Sequence, residues 1–217
     1  MTQPFIRPYN NPQDFEACLN IFYTTIDSSV NSEPARTIGS YLWCKSYLVL
    51  SPHTCFVLDN GSGLPVGYII GTPSTTDFAS RWEDVLIPIV DPKLVPRDDQ
   101  PGETQLVRDL KRALYGAECS MLQKSEELLQ RYPAHLHVNV LPEYQGRGFG
   151  SLLTGKFLER MGEEGVRGVH LGMVRGNEGA RRFYERAGWR VCEEVLDGGS
   201  SGEVGRDGNA LCLLKDL

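Results

Sequence analysis

The sequence has no long apolar run and no excess of positive charge. Its hydrophobic stretches all fall short of the ~20 residues that a membrane-spanning helix requires. A formal net charge of −6 argues against general nucleic-acid binding, which needs a basic face. The start, MTQPFIRPYN, lacks the basic and then apolar segments of a secretory signal. We therefore expect a soluble, cytoplasmic protein with neither membrane nor nucleic acid as a partner, and leave the nucleus open as a location.

Closely spaced cysteines are missing as well. The 6 cysteines lie far apart and form no CxxC pair, which argues against a zinc site or a small disulfide framework. No cysteine or carboxylate lies where it would complete a metal site with His135, His137 and His170. The sequence thus predicts reduced, mostly buried thiols and no metal.

The pattern of apolar residues indicates a mixed α/β protein. With 217 residues, 41% of them hydrophobic, the chain is long enough for one well-buried core and short for two, so we expect a single domain over residues 1–217. Helical spacing predicts helices between short strands, and the sheet should be partly antiparallel. The predicted strands are 5–9, 53–58, 65–71, 135–141, 168–174, 189–195 and 210–214.

An insertion of about residues 91–131 precedes the predicted central strand, 135–141. It consists of a loop rich in Pro and Asp at 91–102 and two leucine-rich helical segments at 106–114 and 122–129. The insertion is either a lid over a substrate or a set of extra packing helices, and the sequence favours neither interpretation.

A glycine-rich turn, PEYQGRGFGSL at 142–152, follows the central strand and leads into an apolar helical stretch. The first NH groups of a helix lack internal partners and the helix dipole adds positive charge, so such a turn suits a diphosphate. The dinucleotide pattern GxGxxG fails at Ser151, and the Walker pattern fails at Phe157. The predicted contacts are Gln145, Gly146, Arg147, Gly148, Phe149, Gly150 and Ser151.

Two motifs carry a resemblance to a known family. Gln145, Gly148 and Gly150 fit the pattern Q/RxxGxG/A, and NEGARRFYERAGW at 177–189 is similar to NxxAxxFYxxxGF. On these motifs the chain resembles the GNAT acyltransferase superfamily. The run YPAHLHVNVLPEYQGRGFG at 132–150 narrows the resemblance to free-standing relatives of the acetyltransferase-like domain of O-GlcNAcase. The resemblance implies the GNAT fold, with a mixed, mostly antiparallel central sheet flanked by helices.

The same resemblance implies acetyl-CoA as the cosubstrate and assigns its contacts. The main chain of Val138, Asn139 and Val140 would pair with the pantetheine amides, and Asn177 would contact CoA. Tyr184 would contact CoA and protonate the departing sulfur, with an ordinary phenol pKa of about 10. Packing in the core is the alternative role for this tyrosine.

The acceptor side rests on polar residues of the central strand. His135, His137 and Asn139 share one face, and a histidine with a pKa of about 6.5 suits removal of a proton from an ammonium group. Either histidine could instead be a buried residue satisfied by its neighbours. Asp77 and Asn139 are candidates for holding the substrate, although Asp77 could equally cap the helix that follows it.

These residues predict an acetyl-CoA-dependent N-acetyltransferase that acts on a primary amine. A small molecule such as an amino sugar is the favoured acceptor, because an insertion that encloses a pocket suits a compact ligand. Protein lysines, including histone tails, are the alternative acceptors. A non-catalytic domain that senses acyl-CoA is an alternative of another class, and a homodimer is left open.

Overall fold

The computed structural model describes residues 3–193 and 210–217. Within these residues the strands form one 7-stranded sheet in the order β1-β2-β3-β4-β5-β7-β6. The strands are β1 Phe5–Pro8, β2 Phe56–Asp59, β3 Pro65–Thr72, β4 Ala134–Val140, β5 Gly168–Val174, β6 Arg190–Val191 and β7 Ala210–Asp216. Only β4 and β5 pair in parallel. The predicted mixed, mostly antiparallel sheet is confirmed.

Helices cover both faces of the sheet. They are α1 Phe15–Thr25, α2 Ala35–Ser40, α3 Ser46–Leu50, α4 Thr75–Ser80, α5 Gln105–Tyr115, α6 Glu126–Arg131, α7 Phe149–Glu163 and α8 Glu178–Arg186. A π-helical turn at Tyr41–Lys45 joins α2 to α3, so residues 35–50 form one continuous helical segment. Helices α1 to α3 and α5 pack on one face, and α7 and α8 pack on the other. No helix among the described residues is long and apolar enough to cross a membrane.

The insertion packs against the rest of the molecule. Leu110 and Leu114 of α5 belong to the core beneath α1 to α3, and the indole NH of Trp82 donates to the Leu114 carbonyl at 2.7 Å. Leu122 and Leu128 pack beside β7. Helix α6 is shorter than the predicted 122–129, because the chain turns at Leu122, whose carbonyl accepts from the Ser125 NH at 2.8 Å. These contacts give the insertion a packing role.

Strands β4 and β5 separate soon after they begin. They pair only through Ala134 with Val169 and His135 with His170. Successive residues of a strand point their NH and C=O groups alternately to one neighbouring strand and then the other. The Leu141 NH donates to the Val66 carbonyl on the β3 side at 2.9 Å. By this alternation the NH and C=O groups of Val138 and Val140 point to the opposite side, into the gap beside β5. We call this gap the β4–β5 cleft.

The last part of the sheet is only partly described. Strand β6 comprises Arg190–Val191, whereas the sequence predicts a strand over 189–195. Residues 194 and 195 of that predicted strand lie outside the described residues. Strand β7 extends two residues beyond the predicted 210–214, to Asp216, where it pairs with Gly168 of β5.

Candidate active site

The glycine-rich turn has the backbone that the sequence predicts at two of its three glycines. Gly146 and Gly148 have φ angles of +69° and +83°, in the left-handed region that favours glycine. Gly150 lies inside α7, where φ is not positive, and a Cβ added there would lie 3.7 Å from the Phe183 ring. The conformation therefore requires glycine at 146 and 148, while Gly150 brings the start of α7 close to α8.

This turn presents a row of free main-chain donors. Within the described residues, the six NH groups from Gly146 to Ser151 donate to no protein acceptor, and the first helical bond runs from the Leu152 NH to the Gly148 carbonyl at 3.2 Å. Residues 145–148 are exposed. The positive end of the α7 dipole adds to this arrangement, which suits an anionic ligand such as a diphosphate.

The two polar side chains of the turn also support its shape. The Gln145 side-chain amide donates to the Val140 carbonyl at 2.7 Å and so ties the turn to the end of β4. The Arg147 guanidinium lies over the rings of Tyr144 and Phe149, 5.6 Å and 5.3 Å from their centroids. Contacts of Gln145 and Arg147 with phosphate stay predictions.

Helix α8 carries Asn177 and Tyr184, and the ring of its Phe183 lies near Gly150 in the first turn of α7. Asn177 is the N-cap of α8, and its Oδ1 accepts from the Ala180 NH at 3.0 Å. Tyr184 is only 7% exposed and packs against Trp189, with 5.5 Å between ring centroids. Burial raises the pKa of Tyr184 well above 10, so the expectation of an ordinary pKa is wrong.

His135 is a core residue. It is 3% exposed and its Nδ1 hydrogen-bonds with the Thr75 hydroxyl at 2.7 Å, while Tyr47 and Phe78 pack edge-on against its ring. Burial, together with the nearby His170 and His137, lowers the pKa of His135 well below 6.5. This burial favours a core position over the catalytic role predicted for His135. Its neighbours satisfy only Nδ1, because Nε2 is buried with no hydrogen-bond partner among the described residues.

His137 lies two residues further along β4, where β5 no longer pairs with the strand. Its side chain is half-buried, and neither ring nitrogen has a hydrogen-bond partner within the described residues. The Tyr47 ring packs edge-on against it, with 5.1 Å between centroids. Burial lowers the pKa of His137 to about 4, so the imidazole is neutral at physiological pH.

Both ring nitrogens of His170 have hydrogen-bond partners. Its Nδ1 contacts the Tyr132 carbonyl at 2.7 Å, and its Nε2 hydrogen-bonds with the Ser120 hydroxyl. Burial lowers the pKa of His170 to about 4. Across residues 3–193 and 210–217, no group of three or more His, Cys, Asp or Glu side chains is arranged to hold a metal ion.

The two predicted substrate residues lie at opposite ends of β4. Asn139 is half-buried and its side-chain amide donates to the Thr25 hydroxyl at the end of α1. Asp77 is exposed in the first turn of α4, next to the start of β4, because Thr72 pairs with His135. Five strand residues correspond to roughly 17 Å, so the structure does not bring Asp77 to the turn. Ser74 caps α4, since its hydroxyl accepts from the Asp77 NH at 3.1 Å.

Tyr47 is a site residue that sequence reasoning missed. It is fully buried between Phe78 and the histidines of β4, and its hydroxyl has no hydrogen-bond partner within the described residues. The aromatic-rich pattern of residues 37–50 predicts only a helix. The π-helical turn and the long-range packing that aim Tyr47 at His137 have no local signal.

Comparisons with known proteins fit this geometry. The model of the "Acetyltransferase (GNAT) family" matches residues 117–189, which include β4, the glycine-rich turn and α8. The [ribosomal protein bS18]-alanine N-acetyltransferase of Haemophilus influenzae is 43% identical over 53 residues, which are 24% of this chain and 36% of that protein. The match thus spans little more than a third of this curated relative.

Solved structures extend the similarity to the whole chain. The crystal structure of SsHAT is 30% identical, with a TM-score of 0.78 over 99% of this chain and 98% of that one. The NatC complex bound to Gag peptide and CoA has a TM-score of 0.53 over 100% of this chain and 99% of that one at 13% identity, which shows the fold alone. The chain therefore belongs to the GNAT family of acetyltransferases, enzymes that use acetyl-CoA as the acyl donor.

Proposed function

We propose that the protein transfers the acetyl group of acetyl-CoA to the primary amine of a compact, polar small molecule. The observation that carries this proposal is the placement of His137 and Asn139 on the wall of the β4–β5 cleft, half-buried beneath α1 and Tyr47. A polar surface that is partly covered in this way suits a small ligand better than an extended peptide, which needs an open groove.

The donor side of the site consists of main-chain groups. Acetyl-CoA, when bound, supplies an activated thioester. The NH groups from Gly146 to Ser151 would hold its diphosphate, and the strand-like main chain of Val138 and Val140 would pair with its amide groups across the cleft. The Val140 NH points into the cleft, where a donor would polarise the acyl carbonyl as the amine adds. Asn177 caps α8, and its contact with CoA is proposed from the resemblance of residues 177–189 to the family motif.

Two faces of the sheet meet at the cleft, and each contributes one group for proton transfer. Tyr184 lies on the α7 side, and His137 lies on the α1 side. Because its pKa is raised, the Tyr184 phenol keeps its proton and can donate a hydrogen bond to the departing sulfur. His137 is neutral and accepts a proton from the amine, directly or through water, as the new bond forms.

The chemistry of the acceptor-side wall favours hydroxyl-bearing amines. Its polar groups are the imidazole of His137, the amide of Asn139 and the hydroxyl of Thr25. None of these groups carries a charge at neutral pH, so the wall offers hydrogen bonds rather than an ion pair. The resemblance of residues 132–150 to O-GlcNAcase-related domains favours an amino sugar among such amines.

A protein amine is the second candidate acceptor. The local identity with the bS18-alanine N-acetyltransferase favours it, since that relative modifies an alanine of a ribosomal protein.

A release assay for free CoA thiol would separate these functions. The purified chain is incubated with acetyl-CoA and, in turn, with glucosamine, other small amines, an alanine-starting peptide and histone peptides. The proposal expects the highest kcat/KM with an amino sugar. A higher value with either peptide class would replace it by protein acetylation. Tight CoA binding without turnover of any amine would indicate the acyl-CoA sensor.

A further inference from the structure

Cys192 and Cys212 lie opposite each other on neighbouring strands. Strand β6 pairs Arg190 with Leu214 and Val191 with Leu213, and one further step of this register joins Cys192 to Cys212. The Cys192 NH donates to the Cys212 carbonyl at 2.8 Å. Opposed residues of antiparallel strands have Cα atoms about 4.5–5.5 Å apart and side chains on one face. That separation falls within the range that disulfides span.

The two thiols contact each other, and they differ in their exposure to solvent. Cys212 is 4% exposed, whereas Cys192 is half-buried, and both pack near Leu122 and Leu128 of the insertion. A hydrogen bond with the Cys192 thiol, together with burial, raises the pKa of Cys212. Cys192 is therefore the thiol that a small oxidant reaches first.

We propose that Cys192 and Cys212 form an oxidation site that closes a disulfide in the presence of a peroxide. The Cys192 thiolate attacks one peroxide oxygen, the O–O bond breaks, and the hydroxide that leaves takes up a proton to become water. The Cys212 sulfur then attacks the Cys192 sulfenic acid. The S–S bond forms as the S–O bond breaks, and the Cys212 proton leaves with that oxygen as a second water.

The other cysteines lack this combination of a partner and access. Cys18, Cys44 and Cys55 are buried with 0% exposure. Cys119 is half-buried like Cys192, but its Sγ contacts the Gln123 side-chain oxygen at 3.6 Å. Cys119 is therefore the matched control: a thiol of similar exposure that lies beside an amide instead of a second thiol.

The experiment treats the reduced 217-residue chain with stoichiometric hydrogen peroxide, blocks the remaining thiols and maps the peptides by mass spectrometry. We expect a linked Cys192–Cys212 peptide pair that dithiothreitol separates. We also expect a rise of a few degrees in Tm, because the disulfide closes the connection between β6 and β7. Cys119→Ser should behave as the unchanged chain does, whereas Cys212→Ser should stop at a sulfenic acid on Cys192 that dimedone traps.

Three results would overturn the proposal. One is a disulfide mapped to a different pair, and another is oxidation of Cys119 as fast as that of Cys192. The third is overoxidation of Cys192 to a sulfinic acid in the unchanged chain with Cys212 still reduced. The peptide map of the unchanged chain decides between these outcomes even if a variant fails to fold.

Discussion

The two halves of β4 have similar sequences and different environments. At its start, His135 pairs with His170 of β5 and is enclosed by Thr75 and Phe78. Towards its end, from His137 onward, the strand has no partner on the β5 side among the residues that the structure describes. The strand alternates polar and apolar residues throughout, so the loss of one neighbouring strand, rather than the residue types, separates a core histidine from an accessible one.

The comparison also explains where a ligand can bind. Paired main-chain groups are satisfied within the sheet, whereas within the described residues both main-chain groups of Val138 and the NH of Val140 are left for a ligand. We call residues 137–140 the open half of β4 and residues 134–136 its closed half. The glycine-rich turn follows the open half, and the Gln145 side-chain amide ties the turn to the Val140 carbonyl. We expect changes in the open half to affect binding and rate, and changes in the closed half to affect stability.

The largest effect is expected for Gly148→Glu. A glutamate at a φ of +83° strains the turn and places a negative charge where the diphosphate would bind. The affinity for CoA should fall by about 1000-fold, measured by isothermal titration calorimetry. Gly148→Ala separates strain from charge and should lose less than Gly148→Glu. Unchanged CoA affinity in Gly148→Glu would refute the placement of the cofactor.

Tyr184→Phe should lower kcat by about 100-fold, because it removes the proposed hydrogen bond to the departing sulfur and keeps the ring packing against Trp189. CoA affinity should change by less than about threefold. Steady-state kinetics and calorimetry on the same preparation check both expectations. Tyr132→Phe is the control, since that hydroxyl contacts Asp216 at 3.0 Å, away from the cleft. An unchanged kcat in Tyr184→Phe would rule out the proposed role of Tyr184 as hydrogen-bond donor to the departing sulfur.

Much of the open half could be predicted from local sequence. The glycines at 146 and 148 need positive φ angles, and the positions of Asn177 and Tyr184 follow from a motif with fixed spacing. Strand alternation places His135, His137 and Asn139 on one face. These features are local, so they leave a mark in a short stretch of sequence.

The difference between the two histidines could not be predicted in this way. It depends on where β5 leaves β4 and on Tyr47, which a π-helical turn in a distant segment brings to the strand. The contact of the Gln145 side chain with β4 and the separation of Asp77 from the turn depend likewise on tertiary packing. Sequence periodicity reports which face a residue occupies and is silent about what covers that face.

Replacing each histidine in turn compares the halves directly. His137→Asn should lower kcat by about 10-fold with little loss of stability, because it removes the proposed base from a half-buried position. His135→Asn should keep kcat within about twofold and lower the free energy of unfolding by about 2 kcal/mol, since it disrupts a buried contact with Thr75. Steady-state kinetics and urea unfolding on both variants test this. A loss of kcat in His135→Asn together with a loss of stability in His137→Asn would exchange the roles assigned to the two histidines.

The pH profile of the unchanged enzyme gives a further test of His137. A base with an ordinary pKa would produce an inflection in kcat at pH of about 6.5. Because the pKa of His137 is lowered to about 4, the neutral form persists and kcat should show no inflection there. An acidic limb centred at pH of about 6.5 that disappears in His137→Asn would contradict the lowered pKa while supporting the role as base.

The smallest expected effect is on the pH dependence of stability in the closed half. Burial lowers the pKa of His170 from 6.5 to about 4, so below pH of about 6.5 the unfolded chain takes up a proton that the folded chain refuses. Stability is therefore lost as pH falls, by about 1 kcal/mol between pH 7 and pH 5.5 for this one residue. His170→Gln should remove that share of the slope in urea unfolding at the two pH values. The same slope in His170→Gln as in the unchanged chain would mean that His170 accepts its proton in the folded state, and that the closed half of β4 is less shielded from solvent than its contacts indicate.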